Sequence, residues 1–486
     1  MAYGIWLFGF FAYFVPAATW NPVSRFDLTR AIVELRTLSI DEYADDTGDR
    51  AFARGHWYTD KAPIPSLLAV PEYGAFYLSQ RVQGEHPAYT VFATPKTPAL
   101  RVSVNGAFQR GLYVCSLSTA GLGTAFLGVL LFRLLLRWYT PRASLVGSAG
   151  TVLGTPLLPY ATSFYGHSVA AVFLVAAFVA LFPASPVSPS ASRVRLAGAC
   201  LALAVGSEYI VALPALVLGV VFLAGRRRVD VVPQALRVAA GALLPLALIA
   251  AYQTACFGAP WRTGYSFLVR PEFIRGHASG FMGLHWPSSS GLYGILLGRS
   301  RGLFFLAPAT ALALGFGVRR AVQSRDAVSI APIATFSALL LANAGYYMWW
   351  GGAAAGPRHL VPVIAFLAMG LAAAWQSRIV FVTAVLLAVS VGNAVVLTAV
   401  GLEAPDNVDT LFGYAYQRLG AGEIASLSGA SNLGIRLGLS PASTLLPIVI
   451  YLVFGVRFLL RRVDAWVVAT SDQERGGRAN PAQAKA

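Results

Sequence analysis

Residues 21–65 read NPVSRFDLTRAIVELRTLSIDEYADDTGDRAFARGHWYTDKAPIP, a polar, acid-rich loop directly behind an apolar stretch, residues 1–20. Of the chain's 21 acidic residues, ten lie between positions 27 and 85: Asp27, Glu34, Asp41, Glu42, Asp45, Asp46, Asp49, Asp60, Glu72 and Glu85. Chemistry that needs a carboxylate has few other places to find one. The loop is therefore read as the catalytic region, carried by a scaffold of a different character.

Composition fixes that scaffold. The chain has 486 residues, 56% hydrophobic and 12% charged, with a mean hydropathy of +0.62, whereas soluble domains carry about a quarter charged residues. Apolar runs recur along most of the length, as bilayer-spanning helices of about 20 residues require. The fold class expected is an all-α integral membrane protein in one domain, residues 1–463, followed by a disordered cytoplasmic tail, residues 464–486. The net charge is +16, but the arginines stand at the ends of apolar segments and not in one solvated stripe, which argues against a nucleic-acid partner. Cys115, Cys200 and Cys256 have no metal spacing and are odd in number, so they build neither a zinc site nor a disulfide framework.

Residues 1–20 lack a basic start and a clean cleavage site, and are read as the first span. Further spans are expected at about 112–136, 143–160, 168–183, 195–207, 209–225, 234–254, 301–317, 327–346, 359–375, 379–400 and 443–460, giving about twelve transmembrane helices. With both termini cytoplasmic, each short inner turn carries arginine: 137–142, 193–195, 226–228, 319–325, Arg378 and 461–462. Reading 195–225 as one long span would reverse every later loop, so two short helices are expected to meet at Ser207, Glu208 and Tyr209. All six histidines then fall on the outer side. The large extracytoplasmic loops are 21–110, which carries a short interfacial helix at 66–79, together with 255–300 and 401–442.

Candidate chemistry sits on that face of a plasma-membrane protein. Only Lys61, Lys96 and Lys485 are lysine among 37 basic residues, so Lys61 in TDKAP marks a place where a compact ammonium suits a phosphate oxygen; it also reads as an ordinary solvated loop residue. Arg25, Arg110, Arg270, Arg299, Arg301 and Arg358 stand at outer helix ends, against the positive-inside trend. Such a set suits bidentate capture of a lipid-linked phosphate, with snorkelling to headgroups as the plainer reading. Asp27, held at a defined depth by a helix that Ser24 would cap, and Asp41 and Asp49 are candidates for the general base. His56 and His167 are candidate ligands or proton carriers. Tyr347 and Trp350, in the run 346–350, belong either to an interfacial aromatic belt or to a sugar-stacking surface. An Asp/Glu/His mixture can also hold a divalent metal ion.

A first helix, an acidic loop opening with SRF, a KAP lysine motif followed by an interfacial helix, and Arg110 opening the second span resemble the GT-C superfamily of polyprenyl-phosphate-sugar-dependent glycosyltransferases. The branch resembled is that of the protein O-mannosyltransferases and lipid A aminoarabinose transferases. RGLFFLAPATALALG and GPRHLVPVIAFLAMGLA are similar to late spans of bacterial members. The resemblance implies a polyprenyl-phosphate sugar donor, an inverting transfer to a cell-envelope acceptor, Lys61 at the donor phosphate and Asp60 as a metal contact. One departure stands out: the Asp-Glu pair of the relatives is replaced by Pro22 and Val23, so the base has to be another carboxylate.

Two other classes fit twelve spans. A secondary transporter would place polar groups at mid-membrane on broken helices and show internal repeats; no repeat is found, and Glu208 is the only clear intramembrane carboxylate. A polymerase or ligase of lipid-linked oligosaccharides shares the donor but has no need of this first loop.

Overall fold

The computed structural model describes residues 1–84, 106–183, 188–424 and 431–478. It is 72% helical. Among the described residues five helices are long and apolar enough to cross a membrane: Gly106–Leu135, Arg228–Phe257, Ala327–Ala344, Arg358–Trp375 and Val380–Val400. Three shorter apolar helices, Ala2–Ala12, Gly166–Leu181 and Tyr209–Ala224, accompany them. Where these helices face away from the protein they present hydrocarbon: Leu236, Leu243, Leu244, Leu246 and Leu248 are exposed along one, Phe381, Val382, Val385 and Val389 along another. A helix bonds its backbone internally, so such surfaces are stable in lipid and costly in water. The chain is a helical membrane protein.

The helices pack closely where side chains are absent. A Cβ on Gly198 would stand 2.0 Å from Val238 O, and one on Gly241 would stand 1.8 Å from Arg195 O. Helices Ala191–Ser207 and Arg228–Phe257 therefore touch backbone to backbone, as small residues permit in membranes. The first of them stops where the sequence breaks: Glu208 is extended (φ −151°, ψ 115°) and a short 3-10 turn, Tyr209–Val211, follows.

Departures from the sequence reading are local. The fold is not wholly helical. Phe14–Val15 pairs antiparallel with Ser431–Asn432, and Arg50–Ala53 pairs with His56–Thr59. The second pair is a hairpin, turned by Arg54 (φ 55°) and Gly55 (φ 85°), the left-handed conformation that two-residue hairpin turns require. Helix Trp20–Arg30 starts before Ser24, which therefore does not cap it; Ser24 Oγ instead donates to Asp49 O (2.6 Å) and meets Thr59 Oγ1 (2.6 Å). This helix is buried from Asn21 to Arg30, whereas a loop helix at the surface would have an exposed face. The last helix runs Leu445–Arg478, so positions from Asp464 on, expected to be disordered, continue it as far as Arg478.

Candidate active site

The site is assembled by the first loop. Ser24 ties the segment at Asp49 to Thr59, and Thr59 Oγ1 accepts the Lys61 amide at 3.2 Å. Lys61 is thereby folded back between two carboxylates, with Nζ 2.9 Å from Asp49 Oδ2 and 3.1 Å from Asp60 Oδ2. Burial pulls its ammonium down, but Asp49 and Asp60 together reverse this and hold it above its ordinary value. Asp60 is pushed up to about 6, chiefly by burial, with Asp49 adding to the shift and Lys61 opposing it.

A second buried group stands beside the first. Arg25 is fully buried; its Nη2 donates to Glu208 Oε1 (2.6 Å), its Nε to Asn21 Oδ1 (3.2 Å) and its Nη1 to Ala62 O (2.9 Å). His167 Nδ1 lies 3.0 Å from the same Glu208 oxygen. The His167 ring is 6.0 Å from that of His359 and 5.5 Å from that of Tyr160, and His359 is 5.6 Å from Tyr346. Arg358 lies in the field of Asp49, Glu208, Tyr160 and Tyr165, and its Nε has no hydrogen-bond partner among the described residues. On a further side Tyr265 stacks on His277 (5.0 Å, 17°), whose ring nitrogens meet the hydroxyls of Tyr346 (3.2 Å) and Tyr347 (3.3 Å).

Sequence reasoning nominated neither Tyr265, His277, Tyr346 and His359 nor Glu403. Glu403 neighbours Thr19, Asp49 and Arg358, and burial pushes its carboxyl up to about 7; the Thr19 hydrogen bond opposes this and Asp49 adds to it. Its position in a late loop carries no motif. The signal that brings it in is Arg301, which is fully buried and donates to the carbonyls of Trp350 (3.0 Å), Gly352 (2.9 Å), Ala404 (3.1 Å) and Pro405 (3.3 Å). That guanidinium braces loop backbone.

The other nominated residues fall elsewhere. Asp27 belongs to a separate buried cluster: Arg30 lies 3.6 Å from Asp27, 3.3 Å from Glu34 and 3.3 Å from Asp46, with its guanidinium 3.9 Å over the Tyr43 ring. Burial, then Asp46, raises the Asp27 carboxyl well above the usual range. Asp41 caps the hairpin, accepting the Trp57 amide (2.7 Å) and meeting His56 Nδ1 (2.7 Å) in the open. Arg110 donates to Gln80 (2.9 Å). Arg270 lies over the Trp20 ring (4.5 Å) and pairs with Glu272 (2.9 Å). Arg299 is exposed, and Trp350 Nε1 donates to Asp406 (3.0 Å). Among the described residues no three His, Cys, Asp or Glu side chains are placed to hold a metal ion. A metal at Asp60 would meet the Lys61 ammonium, 3.1 Å from Oδ2, and no set of three such ligands among the described residues, so the donors do not fit one.

The arrangement of apolar helices around a first loop is the GT-C fold. Two solved structures of ArnT, the lipid A aminoarabinose transferase of Cupriavidus metallidurans, are similar to this chain. The apo form aligns at TM-score 0.50 and 16% identity over 94% of this chain and 75% of that one. The form bound to undecaprenyl phosphate aligns at TM-score 0.50 and 15% identity over 96% and 77%. An Archaeoglobus fulgidus oligosaccharyltransferase in the apo form aligns at TM-score 0.48 and 11% identity over 85% and 55%. No family model and no curated protein matches the sequence.

Proposed function

We propose that this protein is a membrane glycosyltransferase that moves a sugar from a polyprenyl-phosphate donor to an acceptor on the extracytoplasmic face, with inversion at the anomeric carbon. The observation that carries this reading is a set of buried polar atoms without hydrogen-bond partners among the described residues: Asp60 Oδ1, Arg358 Nε, His167 Nε2 and His359 Nε2. Asp60 and His359 feel the charge of Lys61, Lys61 feels that of Arg358, and Arg358 acts on both His167 and His359. Buried polar groups are ordinarily paired, and leaving one unpaired costs about 1–3 kcal/mol. The cations Lys61 and Arg358 suit the phosphate of a ligand, and the unpaired Asp60 and histidine atoms suit its hydroxyl groups. The ArnT structure that holds undecaprenyl phosphate supports a carrier of that class here.

In the proposed reaction Lys61 and Arg358 hold the donor phosphate. The acceptor hydroxyl attacks the anomeric carbon, the bond from that carbon to the phosphate oxygen breaks, and polyprenyl phosphate leaves. The acceptor proton passes to Asp49, the one of the three nominated aspartates beside Lys61. Twelve spans, cytoplasmic termini and an outward-facing site in a membrane domain spanning 1–463, within the cell's inner membrane, complete the proposal. The arginine-bearing turns support that orientation. The test is binding of undecaprenyl phosphate to purified protein, with mass spectrometry of co-purified lipid. Equal binding by wild type and Lys61→Ala would remove the site from the reading.

A further inference from the structure

Glu208 is one of eleven acidic residues outside positions 27–85, and it lies at the break between two apolar helices. Its carboxylate rests on the first turn of helix Gly166–Leu181, where free amides and the helix dipole favour a negative charge. The approach depends on a missing side chain. A Cβ on Gly166 would stand 2.6 Å from Glu208 Oε1 and 2.2 Å from Ser207 O. From that seat Oε1 reaches Arg25 Nη2 at 2.6 Å, and the other terminal nitrogen of the same planar fork donates to Ala62 O at 2.9 Å. Ala62 directly follows Lys61.

We propose that Glu208 is a positioning residue: seated at the start of helix Gly166–Leu181, it clamps Arg25, and the rigid guanidinium carries that anchor to Ala62 and so sets the depth of Lys61. The role presupposes the carrier-phosphate reading of Lys61. Arg25, nominated from sequence as a phosphate ligand, already has each of its three guanidinium nitrogens engaged, by Glu208, Asn21 and Ala62. An anion arriving there would have to displace a buried ion pair, whereas Arg358 Nε is without a partner among the described residues and the Lys61 ammonium has a third N–H beyond those that meet Asp49 and Asp60. The pair therefore works as a strut.

The chain's three lysines allow a direct test that needs no substrate. Full-length protein in detergent micelles is treated with an amine-acylating reagent, and Lys61 modification is followed by peptide mass spectrometry, with Lys96 and Lys485 as internal references. Lys61, buried in wild type, is expected to react slowly. Glu208→Gln and Gly166→Ala are each expected to raise its rate about tenfold by loosening the loop locally. Arg25→Gln is expected to do the same, and Glu208→Gln combined with Arg25→Gln to react no faster than either alone, since the two act as one unit. Glu208→Asp, which keeps the charge, should restore most of the protection and serves if the Gln variant fails to fold. Undecaprenyl phosphate should bind Glu208→Gln about tenfold more weakly than wild type, because the Lys61 ammonium is no longer held in register. Unchanged Lys61 reactivity in Glu208→Gln and Gly166→Ala, or rate increases that multiply in the double variant, would overturn the clamp. Wild type that binds no undecaprenyl phosphate would overturn the glycosyl-transfer reading instead, and the acylation rates would still judge the clamp.

Discussion

Lys61 Nζ stands 2.9 Å from Asp49 Oδ2, joining residues twelve positions apart through a hairpin whose strands begin at Arg50 and end at Thr59. An ammonium between Asp49 and Asp60 is stable without a ligand and can rotate toward a phosphate. Lys61→Ala should abolish transfer and weaken undecaprenyl phosphate binding by about 2 kcal/mol or more, the scale of a lost charge-assisted bond. Lys61→Arg should fail to rescue it, because a planar fork does not fit a slot shaped for a point charge. Titration of each purified variant with undecaprenyl phosphate checks both outcomes.

Asp49→Asn separates binding from chemistry. The variant should retain carrier binding within about threefold and lose transfer by at least about 100-fold, the usual contribution of a general base. Single-turnover assays with a polyprenyl-phosphate sugar measure the second quantity. Comparable transfer by Asp49→Asn would exclude it as the base.

Asp27 should behave in the opposite way. With its carboxyl shifted far up by burial and Asp46, Asp27→Asn should leave transfer nearly unchanged. Arg30→Ala should destabilise the fold by about 3–5 kcal/mol, because it leaves carboxylates buried without their counter-charge. Thermal unfolding in detergent distinguishes the two.

Protonation of Glu403 should be visible in stability. Its folded value, about 7, lies above the ordinary 4.5, so between these values the folded chain binds more protons than the unfolded chain. Its contribution is fully present below pH 4.5 and is lost as pH rises through about 7. Glu403→Gln should flatten that decline, and melting curves from pH 5 to pH 8 should show wild type losing more than the variant.

Much of this arrangement could be read in the chain. The scarcity of lysine singled out Lys61, and the arginine pattern required a break at Glu208, where the helix does end. Helix phase was harder to read. A cap at Ser24 would set the depth of Asp27 but not its direction; Asp27 lies about 200° around helix Trp20–Arg30 from Arg25 and looks toward Arg30. Glu403 was invisible because its place depends on carbonyls gathered by Arg301 from loops about fifty and a hundred positions away, a closure no local pattern encodes.

The pairing of Phe14–Val15 with Ser431–Asn432 has a consequence for biogenesis. The residues just before the first loop find their partner strand only after more than 400 further positions have left the ribosome. A nascent chain halted earlier would carry the lysine and its aspartates without that seam. The seam is thus formed late, after the segment that carries the lysine and its aspartates has already been made.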